Sequence, residues 1–191
     1  MALQFKKKIS WKNIIYIVLI LLFLIPQTRT PIQVAFQKLK MKVFSPSAVA
    51  ADSREKIPPF DYKVVSLDGI QRTAPIGKGN VTFLSYWATW CPPCIAEIPS
   101  IEELYADYGN KVDFILISQE DPKVVQRFLE KKAINLPAVS PAMETPEALF
   151  ERSIPTNYII DQFGNIVVKE TGAQNWNNES IRTTLDKLLG A

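Results

Sequence analysis

Val81-Thr82-Phe83-Leu84-Ser85-Tyr86-Trp87-Ala88-Thr89-Trp90-Cys91-Pro92-Pro93-Cys94 decides how this chain is read. Residues 81–87 are apolar at most positions, as a strand is when a parallel sheet is covered on both faces. Beyond the second cysteine, Ile95, Ile98, Ile101, Leu104 or Tyr105, and Tyr108 recur at helical spacing. The two cysteines, the only two in 191 residues, therefore sit at a strand-to-helix turn with two residues between them. A C-x-x-C pair in that place points to dithiol redox chemistry. Unpaired N–H groups and the macrodipole at the helix start stabilise a thiolate on Cys91. Pro92 fits the first turn because its missing N–H would be unpaired there anyway. Cys94, one turn in and more buried, stays protonated longer and resolves a mixed disulfide formed at Cys91. The alternative is a structural disulfide, but closing so short a loop constrains the unfolded chain little and stabilises weakly.

Composition removes several rival chemistries. The chain has no histidine, which excludes Ser-His-Asp and Cys-His catalysis and any histidine-containing metal site. Two cysteines cannot form a four-cysteine zinc site or hold an iron–sulfur cluster within one chain. The net charge of +3 is unevenly spread. Lys6, Lys7, Lys8, Lys12, Arg29, Lys38, Lys40 and Lys42 are eight of the 22 basic residues, and no acidic residue accompanies them in 1–51. The remaining 14 basic residues face all 19 acidic ones in 52–191, so the body is net −5. Nucleic-acid binding, which needs a basic face on the folded part, is not expected.

The amino-terminal segment has two readings. Lys6-Lys7-Lys8 precedes an unbroken apolar run of twelve, Ile14-Ile15-Tyr16-Ile17-Val18-Leu19-Ile20-Leu21-Leu22-Phe23-Leu24-Ile25, closed by Pro26. A cleaved secretory signal has this shape, and so does a retained signal anchor, although a span needs ~20 predominantly apolar residues. Ile9 and Trp11 can lengthen the run, with Lys12 snorkelling. Residues 26–31 offer no small-residue cleavage site, and Ala48-Val49-Ala50 lies too far downstream, which favours the anchor. Basic residues ahead of the run place the amino terminus in the cytoplasm and the body outside. The expected division is a basic tip and transmembrane anchor over 1–26, a linker over 27–56 and a catalytic domain over 57–191. Residues 27–51 mix lysines with Ile32, Val34, Ala35, Phe36, Leu39, Val43 and Phe44. They read as a membrane-surface stretch or as a spacer.

The remainder reads as a mixed sheet with helices on both faces. Asp68-Gly69 marks a hairpin between 60–66 and 70–73, with a loop from Pro75. A helix over 95–108 is interrupted by Pro99, and Gly109 is expected to end it in the left-handed conformation. Residues 112–117 form a second buried strand. A helix follows over 122–132, with Pro122 first and Asp121 as its cap. A short strand near Ala138-Val139 and a short helix over 146–150 come next. Strands 156–160 and 166–170 then flank Asp161-Gln162-Phe163-Gly164-Asn165. The last helix, 179–189, starts at Asn177 or Asn178.

Trp87-Ala88-Thr89-Trp90-Cys91-Pro92-Pro93-Cys94, then Glu97 and Pro99, then Ile154-Pro155-Thr156, the Asp161/Gly164 hairpin and Thr171-Gly172-Ala173 together resemble the thioredoxin superfamily. More narrowly, they resemble the membrane-anchored thioredoxin-like oxidoreductases of bacterial envelopes, the TlpA/ResA-like group, over roughly 57–190. The resemblance implies a thioredoxin-like fold with an added amino-terminal hairpin and a cis peptide bond at Ile154-Pro155 packed against the cysteines. Two departures stand out. Ser85 occupies the position of thioredoxin's buried proton-handling aspartate, and Ser153 that of a glycine. Glu97, one helical turn beyond Cys94, is the expected substitute proton acceptor. An exposed helical carboxylate is the alternative, because a role near neutrality needs partial burial. Catalysis is thus expected from Cys91, Cys94 and Glu97. Trp90, Pro92, Pro93, Ile154 and Pro155 are expected to meet the substrate, the last two through their backbone. Trp176 reads as packing, and Gly172 as a close approach to the active-site loop or a plain turn glycine.

The resemblance implies a single-pass protein of the bacterial inner membrane with its catalytic domain in the periplasm or otherwise outside the cytoplasm. It carries no cofactor beyond the Cys91–Cys94 disulfide. Its partners are protein thiols and disulfides and a membrane electron donor of thiol-reductase type. The expected activity is reduction of envelope protein disulfides, for example in cytochrome c maturation. A dithiol oxidant is the alternative direction. A thiol peroxidase would need a Thr or Ser and a proline just ahead of its cysteine, and residues 87–90 lack the proline. A copper chaperone would have a thin ligand set here.

Overall fold

In the computed structural model, which describes residues 10–24, 26–41, 46–150 and 152–190, helices α1 (Trp11–Leu24) and α2 (Pro26–Met41) precede an alternating body. The body runs β1 (Phe60–Ser66), β2 (Gln71–Ile76), β3 (Thr82–Tyr86), α3 (Pro92–Tyr108), β4 (Asp113–Ile117), α4 (Pro122–Lys132), β5 (Ala138–Pro141), β6 (Thr156–Ile160), β7 (Ile166–Thr171) and α5 (Glu179–Leu189). One sheet takes all seven strands in the order β2-β1-β5-β4-β3-β6-β7. The β3–β4 and β4–β5 pairs are parallel, and the others are antiparallel.

Sheet order explains why the helices do not divide between two faces, as the sequence suggests. The two crossovers, β3-α3-β4 and β4-α4-β5, step along the sheet in the same direction. With right-handed connections that places both helices on one side. Ile98, Ile101, Leu104, Val125, Leu129, Ile181 and Leu185, from α3, α4 and α5, accordingly share one core with Phe83, Leu116 and Ile159. The other face, presenting Leu84, Tyr86, Ile115 and Tyr158, is closed by Ile57, the β1 side chains Tyr62 and Val64, and Leu149.

Several local expectations are met and others are corrected. Asp121 caps α4, its Oδ1 accepting from the Lys123 amide at 2.8 Å, and Pro122 opens the helix. Asn178, not Asn177, caps α5 by accepting from the Ile181 amide at 3.0 Å. Strand β2 continues through Pro75 to Ile76. It lies at the sheet edge, where a missing N–H breaks no ladder. The short helix expected over 146–150 is a single 3-10 turn, Glu147–Leu149. Gly109 ends α3 in the right-handed conformation, φ −63°. Its need for glycine is steric, since a Cβ there would lie 2.6 Å from the Tyr105 carbonyl oxygen.

The amino-terminal helices also depart from expectation. The described part of the apolar helix, α1, runs over Trp11–Leu24. Among the described residues no helix is long and apolar enough to cross a membrane, so the expected transmembrane helix is not found. From Pro26 onward the described chain is helical again, and this stretch carries Arg29, Lys38 and Lys40. The basic tip at 1–9, Ile25, and Val43 and Phe44 of the connector lie outside the described residues. Within 27–41 the chain is helical, and Val34 and Met41 of α2 pack on Ala96 of α3 and on Ala173.

The β6–β7 turn fastens the body's first segment. Asp161 Oδ1 accepts from the Phe163 and Asn165 amides, and Gly164 takes φ +87°. The Ile57 amide donates to the Gly164 carbonyl at 2.9 Å, and a Cβ on Gly164 would meet the Ile57 carbonyl oxygen at 2.5 Å. Gly69, at φ +86°, has open space around it. Gly164→Ala is therefore expected to destabilise by more than ~2 kcal/mol, combining backbone strain with a clash. Gly69→Ala should cost ~1 kcal/mol from strain alone. Urea unfolding of the two oxidised variants checks the order; equal losses would contradict it.

Candidate active site

Strand β3 delivers the chain to the start of α3, where Cys91 is the N-cap residue in an extended conformation, φ −91°. Its Sγ accepts from the Cys94 amide at 3.3 Å, so one of the orphan donors of the first turn already points at this sulfur. Cys91 and Cys94 are joined in a disulfide, and both are buried. Pro92 and Pro93, half-buried, fill the first turn. The Ile154–Pro155 peptide bond is cis, and the Ile154 carbonyl oxygen lies 3.7 Å from Cys91 Sγ. The Pro155 carbonyl is held by the Gly172 amide at 2.8 Å. Gly172 is needed for its φ of +91°, not for close packing, since nothing lies within 4 Å of where a Cβ would sit.

Trp90 is 68% exposed and forms the rim. With Ile154, Tyr86, Thr145 and Phe150 it lines a cleft of ≈ 390 Å³ beside the dithiol. Pro92 and Pro93 do not line this cleft. Trp87 is buried and stacks obliquely on Phe128, with ring centroids 6.0 Å apart.

Glu97 is not an exposed carboxylate. It is 1% exposed on the inner face of α3. Oε1 accepts from Asn157 Nδ2 at 2.9 Å, and Oε2 accepts from Trp176 Nε1 at 3.1 Å and from the Gln174 amide at 3.3 Å. Burial dominates over these three donors and pushes the carboxyl up to about 8. Ser85 and Asn157 are directly paired across β3 and β6. Ser85 Oγ is buried with no hydrogen-bond partner, and it lines a small cavity of ≈ 10 Å³ together with Cys94 and Glu97. Such a space is about the size of one water.

The fold thus brings Cys91, Cys94, Ile154 and Pro155 together on one side of the α3 terminus and places Glu97 behind Cys94. Four contributing residues were not singled out from the sequence. Asn157, beside Thr156, is a polar residue at the start of a buried strand whose last three residues are Tyr158, Ile159 and Ile160, a pattern that could have flagged it. Trp176 and Gln174 reach Glu97 from the loop after β7, and only the tertiary structure pairs them. Glu120 accepts from the Thr89 amide at 2.6 Å and from Thr89 Oγ1 at 2.7 Å, fixing the loop two residues before Cys91.

Comparison with known proteins agrees with this arrangement. The Redoxin family model matches residues 52–187, and the chain belongs to that family, with a thioredoxin-like fold. Among its relatives, the thiol-disulfide oxidoreductase ResA of Oceanobacillus iheyensis is 31% identical over 138 residues, covering 70% of this chain and 67% of that protein. ResA of Halalkalibacterium halodurans is 36% identical over 98 residues, which span 50% of this chain and 56% of that protein. Crystallised StoA from Bacillus subtilis superposes with a TM-score of 0.54 at 22% identity, covering 69% of this chain and 97% of that one. A thioredoxin-family thiol:disulfide interchange protein from Chlorobium tepidum gives 0.55 at 25% identity, with coverages of 71% and 99%.

The position of Glu97 has a measurable consequence. Its folded-state value, about 8, lies above the ordinary 4.5. Between those values the native protein holds a proton that the unfolded chain has released. Stability therefore falls as pH rises through that window and levels off above it. At ~1.4 kcal/mol per pH unit, the loss between pH 5 and 8 is on the order of a few kcal/mol. Urea unfolding of the oxidised protein should show this slope, and Glu97→Gln should remove it. Parallel curves for the two proteins would mean that the carboxyl is ionised throughout.

Proposed function

We propose that this chain is a thiol–disulfide oxidoreductase that reduces disulfides of envelope proteins from a position outside the cytoplasm, held at the membrane by its amino-terminal segment. The observation that carries the reading is the Cys91–Cys94 disulfide at the start of α3, facing the carbonyl of the cis Ile154–Pro155 bond. The names of the ResA relatives support the activity. The tether is supported by α1, whose consecutive apolar side chains from Ile14 to Leu21 are each 42–65% exposed and call for an apolar surrounding.

In the reduced protein, the Cys91 thiolate is stabilised by the Cys94 amide and the α3 dipole. It attacks one sulfur of a substrate disulfide. The substrate S–S bond breaks, a mixed disulfide forms at Cys91, and the departing substrate sulfur takes up a proton. In molecules whose Glu97 is ionised, Cys94 then gives its proton to that carboxylate, directly or through a water in the cavity lined by Ser85. The Cys94 sulfur attacks Cys91, expelling the second substrate sulfur as a thiolate that takes up a proton from solvent, and closing the Cys91–Cys94 disulfide. A carboxyl near pKa 8 suits this transfer because it can accept and return a proton close to neutrality. The exposed ring of Trp90, the first-turn prolines Pro92 and Pro93, and the backbone at Ile154 and Pro155 receive the substrate strand. Two electrons from a membrane donor of thiol-reductase type restore the dithiol. Apocytochrome c awaiting haem attachment is a fitting substrate, because its two cysteines must be reduced.

The reduction potential, measured in glutathione or dithiothreitol buffers, tests the direction. A reductant should lie near or below ~−270 mV. A value near ~−120 mV would make the protein an oxidant of envelope thiols, and the absence of a reversible two-electron couple would end the redox reading.

A further inference from the structure

Helix α2 is turned the wrong way round for a helix that serves only to pack on its own protein. Among the described side chains of α2, the half-buried or buried positions are Thr30, Gln33, Val34, Gln37 and Met41, spaced three and four apart on one face. Three of these five are polar, and only Val34 and Met41 join the apolar contact with Ala96 and Ala173. The opposite face carries Ile32, Ala35, Phe36 and Leu39, again at helical spacing. Phe36 is 65% exposed and Leu39 63%. Successive side chains sit ~100° apart around a helix of 3.6 residues per turn. Arg29 and Lys40 therefore border this outward stripe on one side and Lys38 on the other. No acidic residue occurs anywhere in 1–51.

We infer that α2 lies in the interface of an anionic phospholipid bilayer, with Ile32, Phe36 and Leu39 dipped among the acyl chains and Arg29 and Lys38 at the headgroups. An apolar stripe edged by cations and free of carboxylates is complementary to a negatively charged lipid surface. The neighbouring α1 exposes apolar side chains from Ile14 to Leu21, a surface that also calls for lipid. The other face of α2 packs on Ala96, two residues beyond Cys94, and on Ala173, next to Gln174, whose amide reaches Glu97. Seating α2 on the membrane therefore fixes the height and tilt of the dithiol above it. A loosely tethered domain would sample many orientations, whereas this one presents a constant face to a membrane-embedded electron donor.

The test places a nitroxide at single sites in the full-length oxidised chain, where Cys91 and Cys94 are paired and do not compete for the label. Phe36→Cys and Leu39→Cys report the stripe, and Lys131→Cys, exposed on α4, reports the body. Each labelled protein is mixed with vesicles of phosphatidylcholine and phosphatidylglycerol, and its collision rates with oxygen and with a water-soluble nickel chelate are compared. The oxygen-to-nickel ratio at positions 36 and 39 should exceed that at 131 by at least several-fold. Equal ratios on protein that sediments with the vesicles would overturn the interfacial position of α2 and leave the α1 tether standing. Failure to sediment at all would remove both, without touching the redox chemistry, which the reduction potential reads separately.

Discussion

The amide of Cys94 donating to Sγ of Cys91 is the contact on which the site depends. It exists because the chain enters α3 through a cysteine in the capping position and spends its next two residues on prolines. Neither proline has an N–H to offer, so the first available donor of the turn belongs to the second cysteine itself. Everything else serves to hold that geometry. Glu120 fastens Thr89 two residues upstream, the β3 strand is paired on both edges, and the cis Ile154–Pro155 bond brings a carbonyl to the sulfur from the opposite side.

Behind the dithiol, the fold accepts an unfavourable burial. A carboxyl at 1% exposure among Ile98, Leu116 and Leu129 would be strongly disfavoured as an ion without partners. Asn157, Gln174 and Trp176 offset part of that cost, and the remainder appears as the raised proton affinity of Glu97. Ser100 stiffens the same junction, accepting from the Trp176 amide at 3.1 Å and donating to the Glu97 carbonyl at 2.7 Å. A group so placed is poor for stability above neutrality and well suited to exchanging a proton with Cys94. Ser85, smaller than an aspartate, leaves the space between them open.

How much of this could be read from the sequence depended on distance along the chain. The dithiol, the order of strands and helices, the caps at Asp121 and Asn178 and the β6–β7 turn all rest on contacts a few residues apart, where spacing and turn chemistry are explicit. The cis bond was legible only through family resemblance. The common face of α3, α4 and α5 was missed because it follows from strand order, which local periodicity does not encode. Asn157, Gln174, Trp176 and Glu120 were missed for the same reason, since each lies 31 to 79 residues from its partner. The inward face of α2 was hidden by its polarity. Thr30, Gln33 and Gln37 look like a solvent face, and only the burial pattern shows that they turn toward the protein.

The central claim is that the two sulfurs are inequivalent, with Cys91 the nucleophile and Cys94 the protonated partner. Alkylation of the freshly reduced protein with iodoacetamide across a pH series, with each cysteine followed by peptide mass spectrometry, measures this directly. The account predicts that Cys91 is modified first and ionises below the ~8.5 of a free thiol, while Cys94 reacts only at higher pH. Faster labelling of Cys94, or two indistinguishable cysteines titrating near ~8.5, would contradict it.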